Sequence, residues 1–300
     1  MGYRLDIRRA YARISSGSEM AETACGPIEY AVVGAGLPLL SVHGAGGGFD
    51  QGLELAEPLA KDGFRIIAVS RFGYLRTPLP ADASAAAQAD AHACLLDALG
   101  VERAAILGTS AGGPSALQFA LRHPERTAAL ALLVPAAYAP RPNAAPAVKT
   151  PRGTLLLFDT ALRSDFLFWA MRRIAPDAFV RGILGTPPEV LAVASADERV
   201  RVERLMDHIL PVRPRRLGLL NDSAVVSSLT RYALETITAP TLAISAADCL
   251  YGTFEPARYT AENVPGARFI GYPSGGHMLV GHSQDANARI AAFFKESARL

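Results

Sequence analysis

The sequence predicts an α/β fold: a mostly parallel central sheet flanked by helices, with a helical segment inserted between two of its strands. Three observations carry this. Short apolar runs alternate with helix-like stretches along most of the chain. The runs are continuous and rich in Val, Ile and Leu, which suits strands buried on both faces of a parallel sheet. One long region, 138–235, contains no clean strand.

Taken in order, Ile28–Val33 and Pro38–Val42 read as two strands joined by the turn Gly34-Ala35-Gly36, an opening hairpin. Gln51–Asp62 reads as a helix, and Phe64–Val69 as the next strand. Ser84–Leu99 is helical and stops at Gly100, a residue suited to a helix C-terminus. Ala104–Leu107 is a strand and Pro114–Arg122 a helix. Leu130–Val134, Thr241–Ser245 and Ala267–Ile270 are further strands, and Ser283–Ala298 closes the chain as a helix. Strand and helix alternate as in right-handed crossover units. In the strand-free region, Pro140, Pro142, Pro146 and Pro151 mark a linker. Leu155–Ile174 follows with helical spacing of Phe158, Leu162, Phe166, Trp169 and Met171. Thr186-Pro187-Pro188-Glu189 reads as a capping box opening a helix whose later face holds Val202, Leu205, Met206 and Ile209. The expected organisation is a core of residues 1–137 and 236–300, with 138–235 as a helical cap over the C-terminal strand edge. Open α/β sheets bind ligands at that edge.

Composition bounds the function. The chain has 300 residues, half of them apolar and 19% charged, so a large buried core is feasible. A net charge of +2 argues against nucleic acid as the main partner. No apolar run is long enough to span a membrane, and Met1–Ala12 lacks the apolar core of a signal peptide. A cytoplasmic location and a small-molecule substrate are the resulting expectations. Homo-oligomerisation is compatible with the sequence but not legible in it. Asn221-Asp222-Ser223 matches the glycosylation sequon and is read as coincidence. Cys25, Cys94 and Cys249 are odd in number and widely spaced, which suggests neither a disulfide framework nor a zinc site. Cys94 reads as a small apolar residue within a helix. No His/Asp/Glu cluster has metal-ligand spacing. The glycines at 44–48 do not make a nucleotide loop, because Phe49 stands where G-x-G-x-x-G needs its last Gly. No cofactor and no metal are expected.

The chemistry centres on Gly108-Thr109-Ser110-Ala111-Gly112. It follows one apolar run and precedes one helix, the context that makes G-x-S-x-G a nucleophile elbow. Such a turn holds Ser in strained backbone angles, while its glycines let strand and helix approach. The plainer alternative is a structural Ser in a Gly-rich turn.

The pattern as a whole resembles the α/β-hydrolase superfamily, over nearly the full chain. His43-Gly44-Ala45-Gly46-Gly47-Gly48 follows a strand, where that family carries its oxyanion loop. Pro240-Thr241-Leu242-Ala243-Ile244-Ser245-Ala246-Ala247-Asp248 resembles the strand bearing its catalytic acid. Ser274-Gly275-Gly276-His277 follows the last strand, as its catalytic His does. The order Ser110, Asp248, His277 is the family order. The resemblance implies Ser110 as nucleophile, His277 as base and Asp248 as the acid orienting it. The backbone N–H groups of Ala45 and Ala111 would form the oxyanion hole. Asp222 and Glu255 stay open as alternative acids. His43 is expected to support its loop, and His123 to lie at the surface. His92, His208 and His282 have no motif around them.

One loop departs from the family pattern D-x-x-G-x-G-x-S. Here Ser70-Arg71-Phe72-Gly73-Tyr74-Leu75-Arg76-Thr77 puts Ser in place of the acid and Leu in place of the second Gly. Ser at the elbow disfavours members with a nucleophilic Asp. The cap carries Arg163, Arg172, Arg173, Arg181, Arg201, Arg204, Arg213, Arg215 and Arg216. They read as a solvated face, or as containing one inward Arg that binds a substrate carboxylate. Phe158, Phe166, Phe168 and Trp169 read as helix-packing core, or as an apolar underside to the cap. The function expected is a serine hydrolase of small to medium esters, thioesters or lactones. Alternatives are a carbon–carbon hydrolase of vinylogous diketone acids, a cofactor-free perhydrolase or haloperoxidase-like activity, and a non-catalytic binding protein.

Overall fold

The computed structural model describes residues 2–140 and 162–298. Eight strands form one sheet: β1 (Glu19–Thr23), β2 (Gly26–Val33), β3 (Leu37–Val42), β4 (Phe64–Val69), β5 (Ala104–Thr109), β6 (Thr127–Leu133), β7 (Thr241–Ala246) and β8 (Arg268–Tyr272). Their order is β1-β2-β4-β3-β5-β6-β7-β8. From β4 to β8 in that order every pairing is parallel, and β2 is antiparallel to both its neighbours. The central strands are buried along nearly their whole length, as their continuous apolar sequences require.

The opening hairpin is not where the sequence places it. The Gly34–Gly36 turn joins β2 to β3, but β4 lies between them, and the true hairpin partner of β2 is β1. The turn steps over the start of β4 instead of reversing into a neighbour. A Cβ at Gly34 would meet the Phe64 carbonyl oxygen at 2.4 Å, and one at Gly36 the Gly63 carbonyl oxygen at 2.2 Å. Both positions also have positive φ, so glycine is needed for two reasons.

Helices cover both faces. On one side lie α2 (Phe49–Ala60) and the C-terminal α11 (Ser283–Ser297), packed on Leu39, Ile66, Leu107 and Ile244. On the other lie α3 (Ala85–Ala98), α4 (Gly113–Arg122) and α10 (Phe254–Asn263), packed on Leu40, Ile67, Ile106 and Leu130. Ser84 caps α3 by accepting the N–H of Ala87. Between β6 and β7 come five further helices among the described residues: α5 (Asp165–Ile174), α6 (Pro176–Ile183), α7 (Pro188–Ala192), α8 (Ala196–Asp207) and α9 (Arg216–Ser227). They share a separate apolar cluster that includes Leu162, Phe168, Phe179, Val202 and Leu210.

Three local readings change. The capping box at Thr186 does not form. The Thr186 hydroxyl donates to the Leu184 carbonyl and accepts the Met278 N–H, so it ties this segment to the His277 loop. The Val202 face belongs to α8, capped instead by Ser195. Cys25 and Cys94 form a disulfide, because the β1–β2 turn lies against α3 with their Cα atoms 6.0 Å apart. This cross-connection links residues 69 apart in sequence and leaves no local spacing signal. Residues Gly2–Ile14 form an additional helix, α1, which lies on α5 through Tyr3, Phe166 and Trp169. Pro142, Pro146, Pro151, Phe158 and the first part of the 155–174 helix reading lie outside the described residues.

Candidate active site

The elbow is built as its glycines dictate. Ser110 sits between β5 and α4 with φ +50°, a conformation rare for a side-chain-bearing residue. A Cβ at Gly108 would stand 2.5 Å from that of Ala116, and one at Gly112 would stand 2.5 Å from the Val42 carbonyl oxygen. The elbow is therefore wedged between its own helix and the end of β3. Gly44 lies against it, since a Cβ there would be 3.1 Å from the Ser110 Cβ.

His277 arrives from the loop after β8. Its Nε2 is 2.8 Å from Ser110 Oγ, although the two residues are 167 apart in sequence. Gly275 and Gly276 take positive φ and turn the chain so that the ring points inward. Ala45 and Ala111 both border the cavity at Ser110.

Asp248 does not meet His277. Its carboxylate accepts the backbone N–H groups of Gly276 at 2.7 Å and Gly275 at 3.1 Å. The turn after β7 gives that carboxylate to the loop backbone and presents the next side chain to the ring. Cys249 Sγ lies 3.3 Å from His277 Nδ1. The alternative acids are elsewhere: Asp222 is bidentate to Arg71, and Glu255 pairs with Arg258 near the surface. The sequence pattern singles out the acid Asp248 and gives Cys249 no local context of its own. Its place beside that acid, at the same strand end, is the available signal.

Residues 38–178 match the family model of the α/β hydrolase fold. An α/β hydrolase fold protein from Nakamurella multipartita aligns with a TM-score of 0.68 at 27% identity, covering 93% of this chain and 99% of that one. The chain belongs to the α/β-hydrolase superfamily. Among curated relatives, a 2-hydroxymuconate semialdehyde hydrolase of Pseudomonas sp. (strain CF600) is 38% identical over 104 residues, covering 33% of this chain and 37% of the relative. An uncharacterized hydrolase of Bacillus subtilis (strain 168) is 37% identical over 107 residues, covering 36% of this chain and 37% of the relative. This α/β hydrolase thus matches little more than a third of the length of those relatives.

The loop after β3 is held by an uncommon set of buried groups. The Arg71 guanidinium donates to the carbonyls of His43 and Gly44, and pairs with Asp222 of α9. Arg215, fully buried, donates to the Gly47 carbonyl and pairs with Asp50 of α2. The Gly46 N–H donates to the Tyr74 hydroxyl, which donates in turn to Asp222. Gln51 accepts the Gly44 N–H. His43 accepts the Arg71 N–H at Nε2, so Nδ1 carries the proton shared with the Gly44 carbonyl. Burial and the adjacent Arg71 push His43 well below the ordinary imidazole range, keeping it neutral. His43 is thus a loop support, as expected.

The departing loop after β4 compensates for its lost acid. Ser70 donates to the buried Glu29 of β2, and Glu29 also accepts from Arg76 and Ser18. Leu75 adopts φ +52°, the conformation a Gly would take more easily.

Two chambers meet at Ser110. The larger, about 900 Å³, is mostly apolar and is walled by Leu162, Phe168, Ile209, Leu219 and Val226. The smaller, about 210 Å³, lies on the His277 side and is bordered by Arg201 and Arg204. Those cations pair with Glu198 and Glu54. No Arg or Lys is among the described residues lining the larger chamber. No described His, Cys, Asp and Glu residues form a cluster that could hold a metal. No helix among the described residues is long and apolar enough to cross a membrane.

Proposed function

We propose that this protein is a serine hydrolase that cleaves an uncharged ester, thioester or lactone through an acyl-enzyme. The observation that carries the reading is the 2.8 Å contact between Ser110 Oγ and His277 Nε2 at the mouth of an apolar chamber. Ser110 Oγ attacks the acyl carbon, and its proton passes to His277 Nε2. The tetrahedral oxygen is stabilised by the N–H of Ala111 in the elbow and by that of Ala45, in the loop whose His43 and Gly47 carbonyls accept from Arg71 and Arg215. His277 then gives its proton to the departing oxygen or sulfur. Water, deprotonated by the same nitrogen, releases the acyl group. Burial pushes His277 down to about 4, so the ring is neutral and able to accept a proton at pH 7.

Ser110→Ala is expected to lower turnover of p-nitrophenyl butyrate by at least about 1,000-fold while the thermal melt stays in place. Unchanged turnover would refute the mechanism.

The second reading is carbon–carbon cleavage of a carboxylated dienone, favoured by the similarity to a 2-hydroxymuconate semialdehyde hydrolase over a third of the chain. An inward Arg could anchor such a carboxylate. Among the described cap arginines, Arg215 is fully buried but Asp50 takes its charge, and Arg201 and Arg204, which border the smaller chamber, pair with Glu198 and Glu54. The uncharged acyl substrate is therefore preferred. Turnover of a ring-fission acid exceeding that of p-nitrophenyl butyrate by more than about tenfold in kcat/KM would reverse the preference.

A further inference from the structure

We propose that Cys249 is the residue that orients His277 in this enzyme, so that the reacting pair Ser110–His277 is backed by a thiol and not by a carboxylate. The proposal rests on the serine-hydrolase reading above and names a positioning residue within it.

Cys249 Sγ is on the opposite edge of the ring from Ser110, 3.3 Å from Nδ1. It is also the acceptor of the Thr253 hydroxyl at 3.1 Å, and Thr253 Oγ1 lies 2.9 Å from Ser245 Oγ. Ser245, Cys249 and Thr253 are all buried, and with His277 and Ser110 they form one continuous chain of contacts. Its polarity follows from the chemistry. Ser110 can give up its proton only if Nε2 is bare, so Nδ1 must carry the ring proton and donate it to sulfur. Thr253 also donates to that sulfur, which leaves the Thr253 oxygen to accept from Ser245. Sulfur therefore receives two donors, fixing both the Cys249 side chain and the ring.

Asp248 fits a different task. By accepting two N–H groups it braces the Gly275–Gly276 turn that carries His277. No carboxylate among the described residues is within hydrogen-bond reach of the ring. The groups facing His277 are Ser110, the Cys249 thiol and the edge-packed Tyr251 ring at 4.8 Å. Farther out stand the engaged Asp248 and the ion pairs Arg201–Glu198 and Arg204–Glu54. Burial is accordingly unopposed, which is why the ring is pushed to about 4.

The test compares wild type, Cys249→Ala, Cys249→Ser and Cys249→Asp on p-nitrophenyl butyrate from pH 5.5 to 8.5. Fluorophosphonate labelling of wild type and Ser110→Ala runs alongside. Cys249→Ala is expected to lose roughly 10- to 100-fold in kcat with little change in KM, and Cys249→Ser to recover part of that loss. Wild type should show a flat acid side. Cys249→Asp should give a limb that falls below about pH 7, because a carboxylate at Nδ1 raises the imidazole. Wild-type kcat and a wild-type pH profile in Cys249→Ala and Cys249→Asp would overturn the proposal while labelling of Ser110 still stands. Failure of wild type to label at Ser110 would instead remove the hydrolase reading on which it rests. Should a variant not fold, long-range ¹⁵N NMR of His277 in wild type decides. A proton on Nδ1 is expected, and a proton on Nε2 would overturn the proposal.

Discussion

At the scale of single residues, Ser110, Gly108, Gly112 and His277 were legible because their chemistry demands a local backbone form. A strained serine needs small neighbours, and the glycines advertise that need. Asp248 was legible as an acid at the right strand end, but not its direction. Which of two adjacent side chains faces a ring 28 residues away depends on how a turn closes, and no pattern of residue types encodes that. Ala45 and Ala111 border the cavity at Ser110. The sharpest residue-level prediction concerns Gly112. A methyl group there would meet the carbonyl oxygens of Val42 at 2.5 Å and His43 at 2.7 Å, both backbone atoms that cannot rotate aside. Gly112→Ala is expected to cost about 3 kcal/mol in urea unfolding and to displace Ser110 enough to abolish labelling. Unaltered stability would mean that β3 and the elbow do not approach so closely.

At the scale of elements, the strands and flanking helices followed from apolar periodicity and capping residues. Ser84 before α3 and Gly100 after it are examples. The pairing of β2 did not follow, because a Gly-Ala-Gly turn looks the same whether it reverses or steps across a neighbour. Nor did the two buried ion pairs. Arg71–Asp222 and Arg215–Asp50 each join residues more than 150 apart, and each also grips a carbonyl of the loop after β3. They bind α9 and the segment before it to the loop that borders Ser110. Removing one partner leaves an uncompensated buried charge, whereas replacing both can be nearly neutral. Asp222→Ala is expected to destabilise the protein by about 3–5 kcal/mol. The double variant Arg71→Met/Asp222→Leu should recover much of this in the same denaturation assay. A single-variant loss below about 1 kcal/mol would mean that water reaches the pair.

At the scale of the whole molecule, three buried imidazoles and the half-buried one of His208 couple stability to pH. Burial lowers His277 and His208 to about 4 and His92 to about 3, and holds His43 well below its ordinary range. Each is neutral in the folded chain, while the unfolded chain binds a proton below about pH 6.5. Above that pH neither state is favoured by these groups. As the pH falls below it, protons bind preferentially to the unfolded chain and stability declines. Each group should cost up to about 2 kcal/mol at pH 5 relative to pH 8. Asp50 behaves in the opposite sense. Burial pushes its carboxyl up, but the Arg215 guanidinium outweighs this and holds it well below the usual carboxylate range. Its stabilisation is present above about pH 4 and is lost below. Urea unfolding at pH 8 and pH 5 should therefore show a clear drop in stability at pH 5. Equal stabilities would mean that these rings are charged or hydrated in the folded state.

The whole account depends on Ser110 being made nucleophilic by His277. The most direct measurement is the rate at which a fluorophosphonate modifies the intact protein, read by mass spectrometry with the adduct mapped to a peptide. Rapid single modification at Ser110, slowed at least about 100-fold in His277→Ala, is the predicted result. Labelling at another residue, or at the same rate without the imidazole, would contradict it.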